Sequence, residues 1–249
     1  MHRINSTAEN KIDPQITLSL KDSILRLIWR KHQISRAEIS RLMNLSRSTV
    51  TEIIKELLQT GFVAEVGIGE SNGGRKPIVL EFQDDAKVIL GIDIGATHVS
   101  VALTNLRGKL LLWKEKKFAV RENPDGTLQL IEDLCSECLS TLKLRSSMLL
   151  SIGVSVPSPV DPIRPEYLSE TIIPAWHGKS GLEKLREKYN VPVYVDNDAN
   201  LGALAEHWWG AGKNVNDLIF IKISNGIGAG YIMGGKLYRG SKGIAGEMS

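Results

Sequence analysis

Asp196, Asn197, Asp198 and Asn200 stand within five consecutive residues, and together they supply two carboxylates and two amides. Such groups accept and donate several hydrogen bonds at once, which suits them to fixing a polar ligand. The stretch 193–206 has to position them. Val193-Tyr194-Val195 is a β-branched and aromatic run that predicts a buried strand. Leu201, Leu204, Ala205 and Trp208 recur at helical spacing, so a helix follows. The four polar groups therefore sit at the carboxyl end of a strand, where open α/β sheets bind ligands. A structural role competes, because Asp and Asn are preferred helix N-caps: a side-chain oxygen accepts from the free amides of the first turn. One cap accounts for one residue and leaves three over.

Two glycine-rich turns could hold phosphate. Residues 88–104 read as strand, tight turn, strand, and the turn Asp93-Ile94-Gly95-Ala96-Thr97 carries a carboxylate, a glycine and a hydroxyl. Its amides and Thr97 can face a phosphate, with Asp93 near a metal ion. The second turn, Ser224-Asn225-Gly226-Ile227-Gly228-Ala229-Gly230, follows a strand at 217–223. Glycine-rich hairpins are common, but this one repeats the pattern at 91–102 and so predicts a duplicated lobe with a ligand cleft between the copies. Between the turns come a strand at 110–113, an amphipathic helix at 124–144 and a buried strand at 148–156.

The first third has a different character. Residues 1–82 hold 12 basic and 9 acidic side chains, whereas residues 83–249 hold 19 of each, so the whole net charge of +3 lies in front. A small basic module ahead of a neutral body predicts a polyanion reader. Residues 1–19 read as a loose arm. A helix from Leu20 has Leu20, Ile24, Leu27 and Ile28 on one face. Ser35-Arg36-Ala37-Glu38 is a capping box opening a short helix with Ile39, Leu42 and Met43 inward. After a turn at Asn44-Leu45, Ser46 caps a third helix reaching about Thr60, buried through Val50, Ile53, Ile54, Leu57 and Leu58. Arg47, Ser48, Thr49 and Thr51 occupy its exposed start, the part of a helix-turn-helix that meets base edges in the major groove. The alternative is a three-helix bundle with a solvated polar face. Gly61 ends the helix, and strands at 62–66 and 78–82 flank a loop containing Arg75 and Lys76. The whole of 20–82 reads as a winged helix-turn-helix, its wing meeting either a narrow A·T groove or phosphates alone.

No run of 18 apolar residues exists to span a membrane, and the N-terminus lacks the apolar core of a secretory signal. A cytoplasmic protein is expected. The only cysteines, Cys135 and Cys138, have redox-pair spacing but no second pair nearby, and they fall on the amphipathic helix as semi-buried packing residues.

Four stretches in order resemble the ROK family of sugar kinases and regulators, which has the actin-like ATPase (ribonuclease H-like) fold. They are G-I-D-I-G-A-T at 91–97, S-V-P-S-P-V-D at 155–161, V-D-N-D-A-N at 195–200, and G-I-G-A-G through G-I-A-G-E at 226–247. With its winged header the chain is most similar to the sugar-responsive repressors of that family, and the resemblance covers nearly all of residues 20–249. It implies an α/β body at 83–249 that binds a sugar through Asn197, Asp198 and Glu247, with Asp198 the general base in members that are kinases. It implies phosphate loops at Asp93, Gly95 and Thr97 and at Gly226 and Gly228, for ATP and Mg if the chain is a kinase. The implied partners are an operator DNA, a sugar effector and a second copy in a homo-oligomer. Kinases of the family usually carry glycine at the position of Ala96 and Gly-Thr at Ser224-Asn225, changes that weigh against phosphoryl transfer and leave the sugar pocket intact. Two functions stay open, a DNA-binding sugar-sensing repressor favoured by residues 20–82 and a sugar kinase kept open by Asp198. The chain ends two residues past Glu247. The family's next sugar-binding histidine and its zinc site would lie beyond residue 249, so the chain is either a fragment or naturally short. A strand edge and an apolar face are expected to stand uncovered.

Overall fold

Three helices, each opened by a serine, begin the described chain. The computed structural model describes residues 19–68, 78–161, 181–224 and 226–248. The chain divides into two compact units, Met1–Gln83 and Asp84–Ser249.

In the first unit α1 (Leu20–Lys31) starts at Ser19, whose hydroxyl accepts from the Asp22 amide. A three-residue strand, β1 (Gln33–Ser35), leads into α2 (Arg36–Met43). There the Glu38 amide donates to Ser35 Oγ at 3.2 Å, and the Ser35 amide donates to Glu38 Oε2 at 2.9 Å. The Ser35 amide, joined by the Ser35 hydroxyl donating to the same oxygen at 2.9 Å, holds the Glu38 carboxyl below its ordinary range. Asn44, in the left-handed region, turns the chain toward α3 (Arg47–Gln59), capped by Ser46. Gly61, at φ +75°, releases the chain from α3 as a residue without Cβ can. Then β2 (Val63–Ile68) and β3 (Ile78–Phe82) form an antiparallel sheet in the order β1-β3-β2. Ile24, Ile28, Ile39, Val50, Ile54, Leu57 and Leu80 make its core.

Two expectations are corrected here. Leu42 is 54% exposed, because a two-turn helix has one side to bury and Ile39 with half-buried Met43 occupies it. The strand β1 was not foreseen; three residues between helices carry no period, and only pairing with β3 defines them. The arm up to residue 18 and the wing residues Arg75 and Lys76 lie outside the described residues.

The second unit is built on a five-stranded sheet. The strands β4 (Val88–Ile94), β5 (His98–Asn105) and β6 (Leu110–Lys117) form an antiparallel meander. The helix α4 (Pro124–Thr141) crosses back so that β7 (Leu149–Val156) lies parallel to β4. A short helix, α5 (Glu183–Tyr189), precedes β8 (Val193–Asn197), which is parallel to β7 and completes the order β6-β5-β4-β7-β8. Leu90, Ile92, Val101, Ile152 and Val154 of the sheet pack with Ile131, Leu134, Cys135 and Cys138 of α4. Burial pushes the Cys135 thiol up to about 12, so it stays protonated and serves as a small apolar side chain.

Then α6 (Asp198–Trp208) leads to a second, antiparallel sheet of β9 (Leu218–Ile223), β10 (Ile227–Met233) and β11 (Lys236–Tyr238). The inner face of this sheet packs on α6. The two meet closely: a Cβ at Gly230 would strike the Ala199 carbonyl, and one at Gly202 would strike the Phe220 ring. Ile219, Ile221 and Ile223 on the other side of β9 are 63%, 54% and 78% exposed.

The strand at 193–195 is not buried as expected. β8 is an edge strand, Tyr194 is 66% exposed, and only Asp196 is buried. The helix after it exists, but its buried positions are Ala199, Asn200 and Ala203, while Ala205 and Trp208 are exposed. The second sheet sits close over the small residues, and the larger apolar ones are turned aside.

Candidate functional site

The polar stretch at the start of α6 separates into distinct jobs. Asn197 is the N-cap: its Oδ1 accepts from the amides of Ala199 at 2.9 Å and Asn200 at 3.2 Å, and its Nδ2 donates to the Ser158 carbonyl at 3.3 Å. Asp196 accepts from Asn200 Nδ2 at 3.0 Å and from Arg239 Nε and Nη2 at 3.0 and 2.6 Å, so these two buried residues hold the junction. Asp198 remains, and its Oδ2 receives a short hydrogen bond and ion pair from Lys222 of β9.

Asp198 opens on a cavity of about 310 Å³. Its walls are Gly95, Ala96, Thr97 and His98 from the first glycine turn, and Ser224, Gly226, Ile227 and Gly228 from the second. Asn197, Asp198, Lys222 and Glu247 line it between them, with Arg121 and Pro157 also in the wall. The structure thus brings to one cavity the sugar residues Asn197, Asp198 and Glu247 and the turn residues Gly95, Thr97, Gly226 and Gly228 expected from the sequence. Glu247 pairs backbone to backbone with Gly228. Burial, and then the Asp198 carboxylate, push its carboxyl above the ordinary range.

Asp93 is not among the lining residues. Ser155 Oγ donates to its Oδ1 at 2.6 Å, and His98 Nε2 lies 3.4 Å from its Oδ2. The Gly95 amide is already bonded to the His98 carbonyl at 3.0 Å, and the His98 ring occupies the space beside Gly95 where a Cβ would stand. So arranged, the Gly95 amide is engaged within the hairpin and the His98 ring lies over it. Among the described residues no cluster of three or more His, Cys, Asp or Glu is placed to hold a metal ion.

In the other unit the start of α3 is on the surface. Ser46 Oγ accepts from the Thr49 amide at 3.1 Å and shares hydrogen bonds with the hydroxyls of Ser48 and Thr49. Thr51 Oγ1 donates to the Arg47 carbonyl at 2.8 Å. Arg47, Ser48 and Thr51 are exposed and Thr49 is half-exposed. The Arg47 guanidinium has no ion-pair partner among the described residues.

Sequence reasoning missed Lys222, Arg239, His98 and Arg121. Lys222 left a readable signal: it is the one charged residue of Leu-Ile-Phe-Ile-Lys-Ile, at the same parity as the inward-facing Phe220. Arg239 left none, since it lies 43 residues from Asp196.

Residues 89–249 match the ROK family, and residues 22–65 match the MarR family. The xylose repressor of Caldicellulosiruptor bescii is 35% identical over 229 residues, which are 90% of this chain and 56% of that protein. The N-acetylglucosamine repressor of Escherichia coli O157:H7 is 29% identical over 230 residues, 91% of this chain and 55% of that protein. A crystal structure of a ROK family transcriptional regulator, a homolog of the E. coli MLC protein, superposes with a TM-score of 0.72 at 24% identity, over 90% of this chain and 56% of that one. The likeness to that structure is one of fold. This chain spans a little over half the length of the relatives it matches.

Proposed function

The chain belongs to the ROK family, and we propose that it is a DNA-binding transcriptional repressor of carbohydrate-utilisation genes whose body senses a sugar. The observation that carries the reading is the cavity. Asp198, Glu247 and Asn197 face it together, while the adjoining first turn is closed on itself. Carboxylates and an amide converging on one small space pair with several hydroxyls of one ligand. Xylose is the first sugar to try, since it is in the name of a relative that resembles 90% of this chain.

The winged module would read an operator through Arg47, Ser48, Thr49 and Thr51, with Arg75 and Lys76 its wing contacts. A homodimer would place two such modules on two half-sites, in the cytoplasm where the operator is accessible. A sugar joining Asp198 to Glu247 bridges the start of α6 and the segment beyond β11. It favours the closed body only by its differential affinity for that form. Its effect on operator affinity would then be about 1–3 kcal/mol and reciprocal.

The second reading is a sugar kinase with Asp198 as general base, favoured by the place of Asp198 in the cavity. Against it stand the ammonium of Lys222 on that carboxylate, the closed first turn, and Ala96 and Ser224 in the two turns.

A mobility-shift titration on operator DNA with and without xylose decides between them. Wild-type protein is expected to release DNA on adding sugar, and Asp198→Asn to bind DNA normally but ignore the sugar. Release by that variant would put the sensing pocket elsewhere. A coupled phosphorylation assay turning over at about 1 s⁻¹ or faster, the pace of working enzymes, would replace the repressor reading with the kinase.

A further inference from the structure

We propose that Lys222 is itself a ligand-contacting residue, and that with Asp198 it forms a donor–acceptor pair for two adjacent hydroxyls of the sugar. The inference rests on the sugar-sensing reading above and names a residue and a recognition chemistry which that reading lacks.

Lys222 stands on β9 opposite Gly228, on the side of the sheet that packs against α6. A lysine on that side needs a partner, and Asp198 supplies one. The pair is not used up by its own bond. An ammonium has three N–H donors, of which Asp198 takes one. The other two have no protein acceptor among the described residues, and Asp198 Oδ1 has no protein donor among them. Both side chains line the cavity, with 34% of Lys222 and 15% of Asp198 exposed.

A vicinal diol complements this arrangement. One hydroxyl donates a hydrogen bond to Asp198 Oδ1, and the oxygen of its neighbour accepts one from Lys222 Nζ. The pair also suits a neutral ligand, because the two charges cancel and neither is stranded when water leaves the cavity. A lone carboxylate there would need another cation once desolvated.

A merely structural Lys222 would tie β9 to α6 and nothing more. Removing it would then lower stability and weaken all ligands alike, without changing which hydroxyl matters. Titration calorimetry separates the roles, using xylose and its monodeoxy analogues on wild type, Lys222→Met, Lys222→Arg and Asp198→Asn, with a thermal melt of each. Lys222→Met is expected to weaken xylose by about tenfold to a hundredfold, the range for a lost hydrogen bond to a charged group. One deoxy analogue that binds wild type poorly should bind this variant as well as xylose does, because the contact it lacks is already gone. Lys222→Arg keeps the charge and should recover part of the affinity with a changed deoxy preference. If Lys222→Met does not fold, that changed preference in Lys222→Arg is the deciding result.

Xylose binding unaltered in Lys222→Met would overturn the inference, as would the same relative loss for every deoxy analogue in wild type and variant. Where Lys222→Met alone keeps its affinity and Asp198→Asn loses it, only the role of Lys222 falls. Where Asp198→Asn also binds normally, or wild type takes up none of xylose, glucose and N-acetylglucosamine, the sugar pocket falls and Lys222 with it.

Discussion

α3 opens with Ser46-Arg47-Ser48-Thr49 and α6 with Asn197-Asp198-Ala199-Asn200, and in each a side chain before the helix accepts from first-turn amides. From there the two diverge. At α3 the polar groups remain at the surface, and the hydroxyls bond to one another. At α6 a sheet packs over the helix, and each charged group finds a partner far along the chain: Asp196 with Arg239 and Asp198 with Lys222. An open polar start can lie against something large, such as a DNA groove. An enclosed one admits only what fits a cavity of about 310 Å³. The same capping chemistry thus suits two kinds of surface, one open and one covered.

That contrast can be broken in four places. The largest effect is expected from Asp196→Ala, which strands Asn200 and removes the acceptor of Arg239. Urea denaturation should show a loss of about 3 kcal/mol, the low end for removing one partner of a buried pair, since Arg239 is partly exposed. A loss under about 1 kcal/mol, as for a surface ion pair, would mean that the start of α6 is no more enclosed than that of α3. Next, Arg47→Ala should weaken operator binding by about 1–3 kcal/mol with an unchanged melting temperature. Salt should weaken wild-type binding steeply as counterions are released. An equal loss on operator and random DNA would reduce Arg47 to a phosphate contact.

Ser46→Ala removes the α3 cap and should cost about 1 kcal/mol of stability, read by thermal melts; no change would show that the first-turn amides are satisfied by water instead. The smallest effect concerns Glu247. Its folded carboxyl holds a proton more firmly than the unfolded one. Stability should therefore fall slightly as pH rises from the ordinary carboxylate range through the raised folded value. Glu247→Gln should flatten that part of the pH–stability curve, and an unchanged curve would mean that neither burial nor Asp198 perturbs this carboxyl.

What could be read from the sequence follows the range of the interaction behind it. The Ser35–Glu38 box and the Ser46 cap depend on residues three apart, and both were visible as spacing. The hairpin at 93–97 was visible because its strands are adjacent in the chain. The exposure of Tyr194 was not, since it follows from β8 taking the sheet edge. The division among Asp196, Asn197, Asp198 and Asn200 was half visible. A cap was expected, but which residue capped depended on Arg239 and Lys222, 43 and 24 residues away. Leu42 misled because period alone cannot say how much of a short helix its neighbours will cover.

Gly230 touches no ligand, yet it bears on how this sequence can drift. Its missing methyl leaves room for the carbonyl of Ala199, the residue next to Asp198. Backbone cannot step aside as a flexible side chain can, so even alanine at 230 would push the start of α6 and the Asp198 carboxylate with it. The cost would fall on the shape of the cavity as much as on folding. One methyl group just behind the cavity wall would thus displace Asp198 without touching any residue of the first unit.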